Sequence, residues 1–213
     1  MDTALLVKAL GGFFAIMNPF VALPLFLSLT TGYDVARQRT TAIRVAIYSL
    51  VMAVVIMVSG TTLLGLFGVT VNDFRVAGGI VLMMIALGML NGGSSAHSGT
   101  PDERQHQQQQ AETGDVAFYP LTFPMILGPG TITAIVVFTG QADGVGGYAA
   151  IGLALLLVLA LLTVVLWFAP SIGHHMSQTL QTIMTRLMGM ILAAIAVSMV
   201  IAGLQGLIPL LQQ

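Results

Sequence analysis

Six long apolar stretches alternate with polar segments along the 213-residue chain, at roughly 5–29, 42–67, 74–91, 117–140, 147–170 and 186–210. A membrane-spanning helix needs about 20 consecutive apolar residues, and the stretches have that length. The pattern therefore predicts six transmembrane helices. The polar segments are short except for residues 92–116, NGGSSAHSGTPDERQHQQQQAETGD, which are rich in Gly, Ser and Gln. Such a composition cannot bury a core and predicts a mobile polar loop. That loop divides the chain into two three-helix units, 1–91 and 117–213.

The two units read as repeats. Arg75-Val-Ala-Gly78-Gly-Ile80 resembles Arg186-Leu-Met-Gly189-Met-Ile191 at an offset of 111, and each run opens a third span. Asn18-Pro19 near the centre of the first span corresponds to Gly128-Pro129-Gly130 in the fourth at an offset of 110. A register that pairs Pro24 with Pro124, at an offset of 100, lacks support from the arginine landmark. An odd number of spans per unit makes the second unit enter from the opposite side. The expected fold is thus an all-α membrane protein of six helices in two inverted repeats, an arrangement common among secondary transporters.

Proline removes a backbone donor and clashes with the preceding turn, and glycine lowers the penalty for leaving the helix. The first and fourth helices should therefore be broken, at Asn18-Pro19 and at Gly128-Pro129-Gly130, with Pro24 a second perturbation. Backbone groups freed at mid-membrane are tolerated where they line a cavity or are buried in protein. A binding site between the units is one reading, and packed kinks are the other. Thr131 and Thr133 follow the fourth-span break, where the amides of a new half-helix favour an anion such as a carboxylate; self-capping by the two hydroxyls is the alternative. Asn18 offers an amide from the opposing unit. Ser28, Thr30 and Thr31 mark the end of the first span.

Composition sharpens this picture. Hydrophobic residues make up 56% of the chain and charged residues 7%, against about 25% charged in soluble domains, so the outer surface must face lipid. Net charge is −1 and cysteine is absent, which excludes disulfides and thiolate metal sites and gives no sign of a nucleic-acid partner. The amino terminus lacks a basic leader and reads as a retained span. Arg37, Arg39, Arg44, Arg104 and Arg186 share one side of a six-span topology, against Lys8 and Arg75 on the other. The excess places the long loop in the cytoplasm and both termini outside.

The other polar residues carry less. No Asp or Glu falls in the middle of a span, which argues against a deep carboxylate proton relay. Asp73, Arg75 and Arg186 fit interface anchors better than a gate. Lys8 can snorkel. The adjacent His174-His175 pair suits a solvated loop better than a metal, and no metal site or cofactor is expected. Gly60, Gly65, Gly78, Gly79 and Gly88 predict close helix packing. No nucleophile–base set is visible, so an enzyme is the least favoured class.

Four ordered motifs carry a resemblance. They are Asn18-Pro19 through Pro24 and Phe26, Phe74-Arg75-Val76-Ala77-Gly78-Gly79-Ile80, Tyr119-Pro120-Leu121-Thr122-Phe123-Pro124 followed by Gly128-Pro129-Gly130-Thr131-Ile132, and Thr185-Arg186-Leu187-Met188-Gly189. Together they resemble the MarC family of bacterial and archaeal multi-pass membrane proteins, which includes small neutral amino acid transporters. Many members carry Gly directly after Asn-Pro-x or two residues beyond it, where this chain has Phe20-Val21, so its first break should be less open. The resemblance implies a cell-membrane transporter of small neutral amino acids. Asn18, Pro19, Gly128, Pro129, Gly130, Thr131 and Thr133 are the expected substrate-binding residues. A coupling proton or sodium ion and a homo-oligomer are left open. A drug or metabolite exporter, or a membrane scaffold, is the alternative.

Overall fold

The computed structural model of the chain describes residues 2–91, 115–172 and 177–207. The expectations for most of the 92–116 loop, for Arg104 and for His174-His175 lie outside the described residues. Nine helical segments occur among those described: α1 (Thr3–Met17), α2 (Pro19–Leu29), α3 (Val35–Leu66), α4 (Val71–Leu90), α5 (Ala117–Ile126), α6 (Pro129–Thr139), α7 (Gly144–Trp167), α8 (Ala169–Ile172) and α9 (Gln178–Leu207). The described part of the protein is thus all-α.

Five helical stretches are long and apolar enough to cross a membrane: Thr3–Leu29, Val35–Leu66, Val71–Leu90, Gly144–Trp167 and Thr179–Leu207. The bent pair α5–α6 makes a sixth if it counts as one span. Several helices outrun their apolar stretches. Asp34 caps α3 by accepting from the Arg37 amide, so the polar turns around Arg37 to Arg44 belong to that helix. Likewise α9 begins well before Arg186, which lies inside the helix and not at its start. Hydropathy locates the lipid-embedded part of a helix, whereas its end is set by capping. Large apolar side chains such as Val58, Leu66, Met84 and Met190 point outward, as a lipid-facing surface requires.

The two units do not fold as separate bodies; one hydrophobic core draws on both. Helix α3 presents a stripe of small buried residues, Ala42, Val45, Ser49, Ala53 and Gly60, at the three-to-four-residue spacing of one helical face. It packs on α5, α6 and α7. Helices α4 and α9 form the most extensive pair. Gly189 lies against Ala86 and Met89, while Gly203 lies against Asn72 and Val76, so the two helices run antiparallel. Their glycines let the backbones approach: a Cβ on Gly79 would stand 2.9 Å from the Ala196 carbonyl oxygen. Gly78 instead receives Thr133 of α6, and Gly60 receives Val136. Gly65 meets nothing within 4 Å and plays no packing role.

Some neighbour relations exchange between the units, although α1–α9 and α6–α7 have no counterparts of similar extent. Take α1, α2, α3 and α4 as counterparts of α5, α6, α7 and α9. The α1–α7 contact then exchanges with α5–α3, α2–α7 with α6–α3, and α4–α6 with α9–α2; all six contacts occur.

Candidate transport site

Both expected breaks are present, and they share a local plan. Pro19 and Pro129 each take the first position of an 11-residue helix. The missing proline N–H is harmless there, because the first amides of a helix lack intrahelical partners in any case. The spacing of 110 that was legible in the sequence therefore relates α2 to α6 residue for residue.

At the first break a single residue leaves the helix. Asn18 has φ 29 and ψ 92 and is the only non-glycine residue with positive φ among those described. Asn is among the residues that tolerate this side of the map best. Its amide still donates to the Phe14 carbonyl at 3.1 Å, and its carbonyl accepts from Val21 and Ala22. The side-chain Oδ1 accepts from the Phe20 amide at 3.1 Å and caps α2. Its Nδ2 has no partner, although Asn18 is only 1% exposed.

The second break is larger. Helices α5 and α6 meet at a bend of 59°. Leu127 and an extended Gly128 (φ −78, ψ −179) separate them. A Cβ on Gly128 would overlap the Pro124 carbonyl oxygen. Helix α5 is itself irregular: Tyr119 and Phe123 leave helical geometry, each immediately before a proline, and both of those X–Pro bonds are cis. No side-chain hydrogen bond caps α6.

The two threonines in the first turns of α6 use their hydroxyl protons within the chain. Thr131 donates to the Ile126 carbonyl across the break at 2.7 Å, and Thr133 donates to the Pro129 carbonyl at 2.8 Å. Thr133 also fills the space that Gly78 leaves open, so it serves the α4–α6 contact.

The breaks adjoin one another. A Cβ at Gly130 would stand 3.5 Å from Ile16 Cγ2 and 2.7 Å from Leu82 Cδ2. The end of α1, two residues before Asn18, is thereby placed against the first turn of α6, with α4 alongside. Phe13 and Phe138, stacked edge to face at 5.3 Å between centroids, hold α1 and α6 together farther along. Asn18, Pro19, Gly128, Pro129, Gly130 and Thr131 thus gather in one region.

The other polar candidates do not join it. Asp73 accepts from both the amide and the hydroxyl of Thr70 and so completes a capping box at the start of α4. Arg75 donates to Asn72 on the same helix at 3.2 Å. Arg186 is exposed and, given the antiparallel α4–α9 pair, lies at the opposite end from Arg75. Lys8 reaches Gln141 at 3.5 Å. Among the described residues no cluster of three or more His, Asp or Glu side chains could hold a metal ion.

The comparisons agree with this architecture. The family model described as MarC family integral membrane protein matches residues 3–208. The chain is 35% identical to the UPF0056 membrane protein YvbG of Bacillus subtilis, over 99% of each protein. It is 34% identical to a UPF0056 membrane protein of Methanocaldococcus jannaschii, over 97% of this chain and 98% of the relative. It is 29% identical to the UPF0056 membrane protein YhcE of Escherichia coli, over 98% and 95%. No solved structure matches.

Proposed function

The chain belongs to the MarC family of multi-pass integral membrane proteins, and from that premise we propose that it is a secondary transporter of small neutral amino acids or similar zwitterions. One observation carries the reading. The Asn18 carboxamide has a buried, unpartnered Nδ2 at a helix break that adjoins the uncapped start of α6. An unsatisfied buried donor costs about 1–3 kcal/mol, and a membrane interior has no bulk water to relieve it. A ligand with a hydrogen-bond acceptor removes that penalty. The α6 amides and the positive end of its dipole favour the same kind of group, a carboxylate. Carbonyl-rich half-helix ends are the usual partners of a cationic group in such sites.

The exchange of contacts between the units and the antiparallel α4–α9 pair support an inverted repeat with the site at its centre and alternating access on either side. Asp73, Arg75 and Arg186 act in this reading as interface anchors, and the basic-residue excess favours a cytoplasmic 92–116 loop in a bacterial or archaeal cell.

The test is uptake and counterflow of radiolabelled alanine, serine and glycine in proteoliposomes, together with amino-acid-dependent thermal stabilisation of the purified protein. Saturable flux with a rise in melting temperature is expected. If no neutral amino acid moves or stabilises the protein, the reading is wrong. Reporter fusions at residue 105 should read cytoplasmic; an external signal there would overturn the orientation.

A further inference from the structure

We propose that Ser49, in the middle of α3, is a further substrate-contacting residue and that its hydroxyl supplies a second hydrogen bond to the acceptor group bound at Asn18. This rests on the transport reading above.

Ser49 is fully buried, and its Oγ has no partner. A serine or threonine in a membrane helix ordinarily bonds back to the carbonyl one turn earlier, and this protein follows that habit elsewhere. Ser59 donates to Val55, Thr163 to Leu159 and Ser198 to Ala194. The six other buried hydroxyls, all on threonines, each donate to a backbone carbonyl. Ser49 is the exception among the buried hydroxyls described. The Thr122 hydroxyl of α5, which donates to the Ala117 carbonyl at 2.7 Å, also comes within 3.5 Å of the Val45 carbonyl one turn before Ser49.

Its height in the bundle follows from two contacts. Val45 meets Thr122, and Gly60 meets Val136, so α3 runs in the same direction as α5 and α6 and passes the bend between them. Ser49, one turn beyond Val45, therefore lies between these two contacts, on the stretch of α3 that passes the second break. It shares the face of α3 that carries Val45, four residues earlier. Ser49 and Asn18 are the two buried, unpartnered donors in the central parts of the described spans, and each is near the middle of its span, Val35–Leu66 and Thr3–Leu29. One lies beside the end of α5, and the other lies by the start of α6. Two orphan donors on either side of one helix break, with no carboxylate at that depth, select a ligand through its acceptor oxygens.

The experiment compares wild type, Ser49→Ala and Ser49→Cys, in detergent for melting and in proteoliposomes for uptake, with alanine and serine as probes. Removal of an unpaired buried hydroxyl should leave the ligand-free melting temperature unchanged or raised. Amino-acid affinity, read from the dose dependence of thermal stabilisation and from the KM of uptake, should fall about fivefold to tenfold with the loss of one hydrogen bond. The cysteine variant, close in size and a weaker donor, should fall between the two and guards against a packing defect in the alanine variant. Unchanged affinity in both variants, whatever their ligand-free melting temperature, would mean that Ser49 does not contact ligand and would overturn the inference, while the transport reading stands. A wild-type protein that binds neither probe removes the transport reading itself.

Discussion

The two helix breaks begin alike and diverge within four positions. At an offset of 110, Asn18-Pro19-Phe20-Val21 stands against Gly128-Pro129-Gly130-Thr131. Only the proline is shared, and with it the start of an 11-residue helix. The first break confines its departure to one residue, keeps hydrogen bonds on both sides and leaves Thr3–Leu29 as one span. The second bends the chain by 59°, runs back through an irregular α5 and needs a residue without Cβ. The first thus offers a side chain, the Asn18 carboxamide, and the second offers backbone. A site built this way separates its two tasks: a modest kink positions a donor, and a deep one exposes the amides of a half-helix.

Gly128 should be the less forgiving half of that comparison. Its missing Cβ faces a backbone oxygen, that of Pro124, which cannot rotate away as a side chain can. Gly128→Ala is expected to destabilise the protein by on the order of 3 kcal/mol, at the upper end for overpacking, and to abolish transport. Thermal melts and uptake by the same preparation check this. A variant with wild-type stability would show that α5 and α6 can shift freely, and the contrast between the breaks would lose its basis. The same crowding argues against a straight helix on replacement of residues 128–130 by alanine, because Pro120 and Pro124 still interrupt the turns before them.

Asn18→Gly should behave in the opposite way. Glycine accepts φ 29 without strain, and as a helix cap it gives up only a few tenths of a kcal/mol relative to Asn. Stability should stay within about 1 kcal/mol of wild type. Transport should nonetheless fall about tenfold, because the variant lacks the unpaired Asn18 carboxamide donor at this break. Full activity in the glycine variant would assign Asn18 to backbone geometry alone. A large loss of stability would show that the side chain holds the kink together.

How much of this was legible depended on whether a residue acts through its own backbone or through neighbours. Asn18-Pro19 and Gly128-Pro129-Gly130 announce their breaks, since proline and glycine carry the preference with them. The equal spacing of Pro19 and Pro129, each at the start of an 11-residue helix, was legible for the same reason. The irregularity of α5 had a signal that was passed over: Tyr119 and Phe123 each precede a proline, and that position disfavours helix. The polar first turns of α3 and α9 were missed because capping extends a helix past its apolar stretch. Ser49 had no signal at all. Its significance lies in a buried hydroxyl without a partner, which the direction of the side chain decides and the sequence does not. Thr131 and Thr133 were singled out by their place after the break, but the direction of their hydroxyls is a tertiary fact.

Thr131 gives the finest test, because the first unit supplies the control. The residue at the matching position is Val21, so Thr131→Val makes the second break resemble the first at that point without a change in side-chain shape. The Thr131 hydroxyl donates to the Ile126 carbonyl at 2.7 Å and so ties the first turn of α6 to the last turn of α5 across the bend. Ile126 is 1% exposed, so no water replaces the lost donor, and the variant should lose about 1 kcal/mol of stability. Amino-acid affinity should change by less than about twofold, since the proton that is removed was committed within the chain and not to ligand. The opposite result, unchanged melting with affinity reduced fivefold or more, would mean that the hydroxyl leaves the Ile126 carbonyl when substrate binds. In that case the second break contributes a side chain as well as backbone, and the division of labour between the two breaks does not hold.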